Sequence, residues 1–152
     1  MVDLGKHHGL RGMTIMNRNI ILYTLLFAVF SIVHAQTPAP ENARVYIISP
    51  ADGDEVSSPV TVIFGLQDMG VAPAGVTVEN TGHHHLLVDT DLPALNMPIP
   101  ADEKHLHFGK GQTETTINLP PGKHTLQLLL GDATHTPHAP PVMSEKITIT
   151  VQ

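Results

Sequence analysis

The sequence has no cysteine. Disulfide bonds are therefore excluded, and the fold has to be stabilised by its hydrophobic core alone. A lipid-modified cysteine is excluded as an anchor, and so are thiolates as metal ligands. The metal-binding side chains that remain are imidazole, carboxylate and thioether.

Basic residues are also scarce. Residues 36–152 contain five lysines and arginines against thirteen aspartates and glutamates, which gives them a formal charge of −8. Proteins that bind nucleic acid carry a basic footprint that neutralises phosphates. We therefore exclude nucleic acid as a partner.

The first 35 residues have the order of a secretory signal. Basic residues come first, an apolar run follows over 20–33, and Val33-His34-Ala35 supplies small residues before Gln36. This order predicts a signal peptide over 1–35 that is cleaved before Gln36. The run is shorter than the roughly 20 residues that a membrane-spanning helix needs. We expect no stable membrane span after cleavage, and a periplasmic or secreted protein.

The rest of the chain has the pattern of a β-sandwich. A Pro/Ala-rich linker over 36–43 leads into a domain over 44–152, where short β-type runs alternate with turn residues. The runs lie at 44–49, 60–66, 83–89, 105–108, 113–119, 123–130 and 145–151, with a minor edge strand at 76–79. This spacing predicts an all-β, antiparallel immunoglobulin-like sandwich of about seven strands. The segment 92–100, with three prolines, is predicted to be a covering loop.

Eight of the eleven histidines lie in the predicted domain. They are His83, His84, His85, His105, His107, His124, His135 and His138. Histidine is the commonest metal ligand, and two histidines at positions i and i+2 of a strand point the same way. The pairs His83/His85 and His105/His107 are therefore candidate chelating pairs.

Strand alternation leaves two arrangements of these pairs open. Leu86 and Val88 lie on one face of the run 83–89 and Leu87 on the other, so the inner face is ambiguous. If Leu86 and Val88 face the core, His83 and His85 lie on an outer face.

In that first arrangement, the outer-face pair can meet His105 and His107, since Leu106 and Phe108 are the core-facing residues of their run. If Leu87 faces the core instead, His83 and His85 approach His124.

His124 has a second interpretation. It follows Pro120-Pro121-Gly122-Lys123, a turn that resembles the entry to a late strand of immunoglobulin-like domains, where a tyrosine commonly forms a corner. His124 takes the place of that tyrosine. It shares a face with Leu126, so it should point inward.

The candidate metal ligands are thus five histidines, namely His83, His85, His105, His107 and His124. Imidazoles without thiolates suit copper, zinc or nickel, and the affinity order places copper first. We predict copper as the first choice and zinc as the second. Met97 and Met143 favour copper slightly, because thioether binds Cu(I). His135 and His138 lie in a proline-rich loop, where exposed histidines are ordinary, and are interpreted as structural or neutral.

The function predicted from these residues is metal binding for storage, delivery or sensing. The serines lie in none of the usual nucleophile settings, so we expect no enzymatic activity. The alternative function is a non-catalytic interaction or structural module of the cell envelope. In that alternative the histidines are hydrogen-bonding core and loop residues, and the partner is another envelope protein.

Four ordered motifs resemble a bacterial exported domain family of unassigned function. The motifs lie at 48–53 (ISPADG), 82–89 (GHHHLLVD), 107–114 (HFGKGQTE) and 122–128 (GKHTLQL). The resemblance covers 44–151 and implies an exported, single-domain β-sandwich. It implies no activity and no ligand.

Overall fold

A computed structural model of the protein describes residues 36–152. The predicted signal peptide, 1–35, lies outside the described residues. Within them, the secondary structure consists of nine β-strands without a helix. The strands are β1 (Arg44–Ser49), β2 (Glu55–Val56), β3 (Val60–Gln67), β4 (Gly70–Val71), β5 (Thr81–Val88), β6 (His105–His107), β7 (Glu114–Ile117), β8 (Gly122–Gly131) and β9 (Ile147–Val151).

The strands form two sheets. The smaller sheet has the order β1-β3-β7, and the larger has the order β2-β9-β8-β5-β4, with β6 pairing to β5 as well. Most pairs are antiparallel, while β2 runs parallel to β9 and β4 runs parallel to β5. The prediction of an all-β fold built from two sheets is confirmed.

The core lies between the two sheets. Val60, Val62 and Phe64 alternate with more exposed residues along β3 and point towards the larger sheet. That sheet contributes inward-facing leucines, among them Leu86 and Leu128, which are fully buried. Period-two alternation is the reason that each strand contributes every second residue to this core.

A smaller core covers the outer face of the larger sheet. Leu87 and Leu129 project from this face and pack against Ile99, with Leu92 and Leu95 around them. The segment 92–100 is thus a covering loop, as predicted. It explains why β5 is apolar on both faces.

Two details differ from the sequence prediction. Residues 76–79 form no strand, and Val76 and Val78 are exposed. The edge strand beside β5 is instead the two-residue β4, which pairs with Thr81 and Gly82. In the part of the chain that the structure describes, no helix is long and apolar enough to span a membrane.

Candidate metal centre

Strand β5 places its three consecutive histidines on two faces. Leu86 and Val88 belong to the inter-sheet core, so His84 also faces that core and its ring lies 5.1 Å from the ring of Phe64. His83 and His85 point to the outer face, where both are buried, with 0 % and 1 % exposure. Of the two predicted arrangements, the structure has the one in which Leu86 and Val88 face in.

Strand β6 adds a third imidazole to this outer face. The register of the antiparallel pair places His107 directly opposite His85. Directly opposed residues of neighbouring strands lie close enough for their side chains to touch. The ring of His107 is 5.1 Å from that of His85 and 5.0 Å from that of His83.

The loop after β8 supplies a fourth imidazole, His135. The β5–β8 register pairs His83 with Gly131, the last residue of β8, so the following loop begins beside His83. The Nδ1 atom of His135 lies 3.1 Å from Nε2 of His83. The rings of His107 and His135 are 4.7 Å apart.

These four residues, His83, His85, His107 and His135, are called the four-histidine cluster below. Each offers one ring nitrogen, and the four nitrogens all lie within 4.8 Å of one another. Nitrogens that share one ion at about 2.0–2.1 Å lie at most about 4 Å apart. The largest separation in the cluster therefore exceeds that of a single-ion site by about 1 Å or less.

Orphaned polar atoms in the cluster fit a metal ligand set. Within the described residues, the buried Nδ1 atoms of His83 and His85 have no hydrogen-bond partner, and the same holds for Nε2 of His84 and Nδ1 of His138 outside the cluster. Only the first two belong to rings that converge with other imidazoles. A buried polar nitrogen without a partner is costly, and a metal-binding role is one of its ordinary explanations. The donor set fits as well, because four imidazoles match the ligand preference of copper and zinc.

The imidazoles of His83, His85 and His107 have lowered pKa values, which favour their neutral form at neutral pH. Burial, together with the neighbouring His135, lowers the pKa of His83 from 6.5 to about 4. Burial, together with His83, lowers the pKa of His85 to about 3, and burial also lowers the pKa of His107. Since only the neutral imidazole has a free lone pair, these rings are ready to bind a metal ion at neutral pH.

Two glycines leave space for the rings. A Cβ atom on Gly131 would lie 2.8 Å from Cε1 of His85. A Cβ atom on Gly109 would collide with Cε1 and Nε2 of His107. Any side chain at either position would displace a cluster ring, because real Cβ atoms do not approach ring atoms so closely.

His105 does not join the cluster. Its Nδ1 atom lies 2.8 Å from Oδ1 of Asp102, and the same carboxylate oxygen accepts the backbone N–H groups of Lys104 and His105. His105 lies two residues before His107 on β6, opposite Leu87 of β5. The local turn at Asp102 therefore determines where this imidazole lies.

His124 is also apart from the cluster, in the corner position that the sequence suggested. Its Nε2 lies 2.8 Å from the carbonyl oxygen of Pro120 and its Nδ1 lies 2.7 Å from Oδ2 of Asp89. Both nitrogens face hydrogen-bond acceptors, which favours the doubly protonated ring. The hydrogen bond to Asp89 raises the pKa of His124. An imidazole whose two nitrogens both donate has no lone pair for a metal ion.

The two remaining histidines make separate backbone contacts. Nδ1 of His84 lies 3.3 Å from the carbonyl oxygen of Gln112, and burial lowers its pKa to about 4. Nε2 of His138 lies 3.2 Å from the carbonyl oxygen of Thr81. Both side chains are fully buried. The interpretation of His138 as an ordinary exposed loop histidine is therefore wrong.

His135 is the cluster residue that the sequence reasoning missed. Asp132-x-Thr134-x-Thr136 has the composition of a tight turn capped by the aspartate side chain, and this local signal was available. The position of His135 next to β5 was not predictable from the sequence, because it depends on the register between β5 and β8.

The fold and the cluster define a histidine-rich β-sandwich domain with a candidate metal centre. The chain belongs to the family described as "Domain of unknown function (DUF4399)", whose match covers residues 62–152 and includes all four cluster histidines. Neither the curated proteins nor the solved structures contain a match to the chain.

Proposed function

We propose that this protein is an exported, non-enzymatic domain that binds one transition-metal ion, copper first and zinc second. The observation that carries the proposal is the convergence of four ring nitrogens within 4.8 Å of one another. Three separate segments of the chain, β5, β6 and the loop after β8, contribute to it. Structural histidines have no need to converge on a common point.

The preference for copper rests on the ligand type. Nitrogen ligands bind divalent first-row metals in an order that places Cu(II) above Zn(II). The side chains of Met97 and Met143 are exposed, and the preference does not depend on them. Zinc remains the second choice because four neutral imidazoles also suit a tetrahedral ion.

A binding role is favoured over catalysis by the number of ligands. Catalytic zinc sites typically have three protein ligands and keep a fourth position open for water or substrate. Four imidazoles fill the positions of a tetrahedral ion. The proposed roles are therefore storage, delivery or sensing of the metal.

The exposure of the cluster supports exchange of the ion with its surroundings. His83 and His85 are buried, His135 is half-buried, and His107 is exposed. An ion can thus enter and leave on the His107 side without opening the sandwich. A periplasmic or secreted location, which is inferred from the predicted signal peptide, agrees with a role in handling metals outside the cytoplasm.

The test is a titration of the purified protein with Cu(II) and Zn(II) against competing chelators. We expect one ion per chain, and we expect His107→Ala to weaken binding by roughly 100-fold or more, as for loss of one ligand in a four-ligand site. His105→Ala is the matched control, because it removes an imidazole from the same strand outside the cluster, and it should retain wild-type affinity.

Two results would contradict the proposal. One is binding no tighter than that of a scrambled histidine-rich peptide. The other is an equal loss of affinity in His105→Ala and His107→Ala. Either result would favour the alternative of a non-catalytic envelope module whose histidines are structural.

A further inference from the structure

The segment 36–39, called the N-terminal strap below, lies against the chain that follows His135. Pro38 and Ala139 form a parallel β-bridge. The backbone N–H of Ala139 donates to the carbonyl of Thr37 at 2.9 Å, and the N–H of Ala39 donates to the carbonyl of Ala139 at 3.4 Å. The strap is therefore an ordered part of the domain, whereas the sequence predicted only a linker there.

Thr37 contacts the turn that carries His135. Its Oγ1–H donates to Oδ2 of Asp132 at 2.7 Å. The other carboxylate oxygen, Oδ1, accepts the backbone N–H groups of Thr134 at 2.8 Å and Thr136 at 3.0 Å. Asp132 thus holds the backbone on both sides of His135, and Thr37 fixes Asp132 from the opposite side.

Gln36 connects this turn to the covering loop. Its side-chain amide donates to the carbonyls of Pro137 at 2.9 Å and Leu95 at 2.6 Å. The covering loop in turn contacts the ligand residue itself, because the N–H of Ile99 donates to the carbonyl of His135 at 2.8 Å. Three segments of the chain therefore converge around His135.

His135 needs this support. Its φ of +66° lies in the left-handed region, which residues with a side chain rarely adopt. Such a conformation persists only where the surrounding contacts impose it. Of the four cluster residues, His135 is also the one that lies outside any strand.

We infer that Gln36 and Thr37 are positioning residues of the metal centre, which hold His135 in place as the fourth ligand. The inference rests on the proposed function. It adds that the site reaches its full affinity only when the strap is docked. If cleavage occurs before Gln36, as the sequence predicts, the strap is the N-terminus of the exported protein, and the residues next to the cleavage point complete the site.

The test compares three threonine variants of the purified protein. Thr37→Val removes the hydroxyl group at constant shape, and Thr37→Ser keeps it. Thr61→Val is the matched control, because its hydroxyl lies 3.3 Å from that of Thr116 on the smaller sheet. Outer partners of metal ligands typically contribute 10- to 100-fold in affinity, so we expect Thr37→Val to weaken Cu(II) binding by about 10-fold. Thr37→Ser and Thr61→Val should bind as the wild type does.

Three further readouts separate positioning from general stability. The nitrogen splitting in the Cu(II) electron paramagnetic resonance spectrum should report fewer coordinated imidazoles in Thr37→Val. In the His135→Ala background, Thr37→Val should cause no additional loss, because its effect passes through His135. Without metal, the amide hydrogen of Ile99 should exchange faster in Thr37→Val than in Thr61→Val.

The outcomes separate the inference from the proposed function. If the wild type binds no Cu(II), both are overturned. If the wild type binds and His135→Ala weakens binding, but Thr37→Val behaves like Thr61→Val, the proposed function stands and the role of the strap is overturned. An equal effect of Thr37→Val with and without His135 would also overturn it.

Discussion

Saturating Zn(II) is expected to raise the midpoint temperature of thermal unfolding by about 10–15 °C. A ligand that binds only the folded state at about 1,000 times its dissociation constant stabilises it by about 4 kcal/mol. A domain of this size gains about 4 °C for each kcal/mol. Together these values give a rise of about 16 °C in the midpoint temperature. Zn(II) also binds histidines of the unfolded chain, which reduces the rise to about 10–15 °C.

Two variants make this experiment specific to the cluster. His85 and His138 are both fully buried histidines, but only His85 belongs to the cluster. At the same Zn(II) concentration, a site weakened about 100-fold retains about 1.4 kcal/mol of stabilisation, so the midpoint of His85→Gln should rise by no more than about 6 °C, whereas that of His138→Gln should rise as in the wild type. Because the readout is the difference with and without metal, any loss of stability in the metal-free state cancels. Equal responses in the two variants would contradict the assignment of the cluster.

The metal-free protein is expected to lose about 5 kcal/mol of stability between pH 6.5 and pH 5. The pKa values of His83 and His84 are lowered to about 4, and that of His85 to about 3, in each case chiefly by burial. Below the unfolded value of about 6.5, the unfolded chain binds protons that the folded chain does not bind. Stability therefore falls as the pH decreases, with each of the three groups contributing up to about 1.4 kcal/mol per pH unit.

His107, whose pKa is also lowered but whose ring is exposed, adds a smaller contribution in the same direction. The other groups with shifted pKa values act outside this pH range. The pKa of His124 is raised by Asp89, so its stabilising contribution is complete below pH 6.5 and is lost as the pH rises through the folded pKa. The carboxylates of Asp89 and Asp132 have lowered pKa values, because hydrogen bonds outweigh the effect of burial. Their contributions are lost only at pH values near and below the ordinary carboxyl range.

Urea unfolding at pH 6.5, 6.0, 5.5 and 5.0 in the presence of a chelator measures this slope. His84→Leu should reduce the slope by about one third, since it removes one of three equivalent groups. His84 lies outside the cluster, so this variant leaves the metal ligands in place. A free energy of unfolding that does not change with pH over this range would show that the three imidazoles are not buried in their neutral form.

Much of the fold follows from period-two alternation. The runs at 44–49, 60–66 and 123–130 correspond to β1, β3 and β8, because each has an apolar face that is buried between the sheets. The strands β2 and β4 have two residues each. Segments of that length carry no periodicity, which is why the sequence does not reveal them.

The candidate site was predictable only in part. The pairing of His83 with His85 is local, and the meeting of this pair with His107 was one of two arrangements that the sequence left open. The choice between them depends on the covering loop, which buries Leu87 on the outer face and so makes β5 apolar on both sides. Alternation alone does not reveal that a loop covers a sheet face.

The remaining differences have equally specific causes. His105 shares a strand with His107, but the carboxylate of Asp102 three residues earlier holds its ring. His135 is far from β5 in sequence and reaches it because β8 ends opposite His83. The position of such a ligand residue depends on the register between strands that are far apart in the sequence, and one sequence alone does not predict that register.

Anomalous diffraction from crystals of the Cu(II)-loaded protein, recorded at the copper absorption edge, tests the central claim most directly. One strong peak is expected about 2.0–2.1 Å from ring nitrogens of His83, His85, His107 and His135. A strong peak at His105, His124 or His138 instead, or the absence of any peak between the four rings, would contradict a metal centre at this cluster.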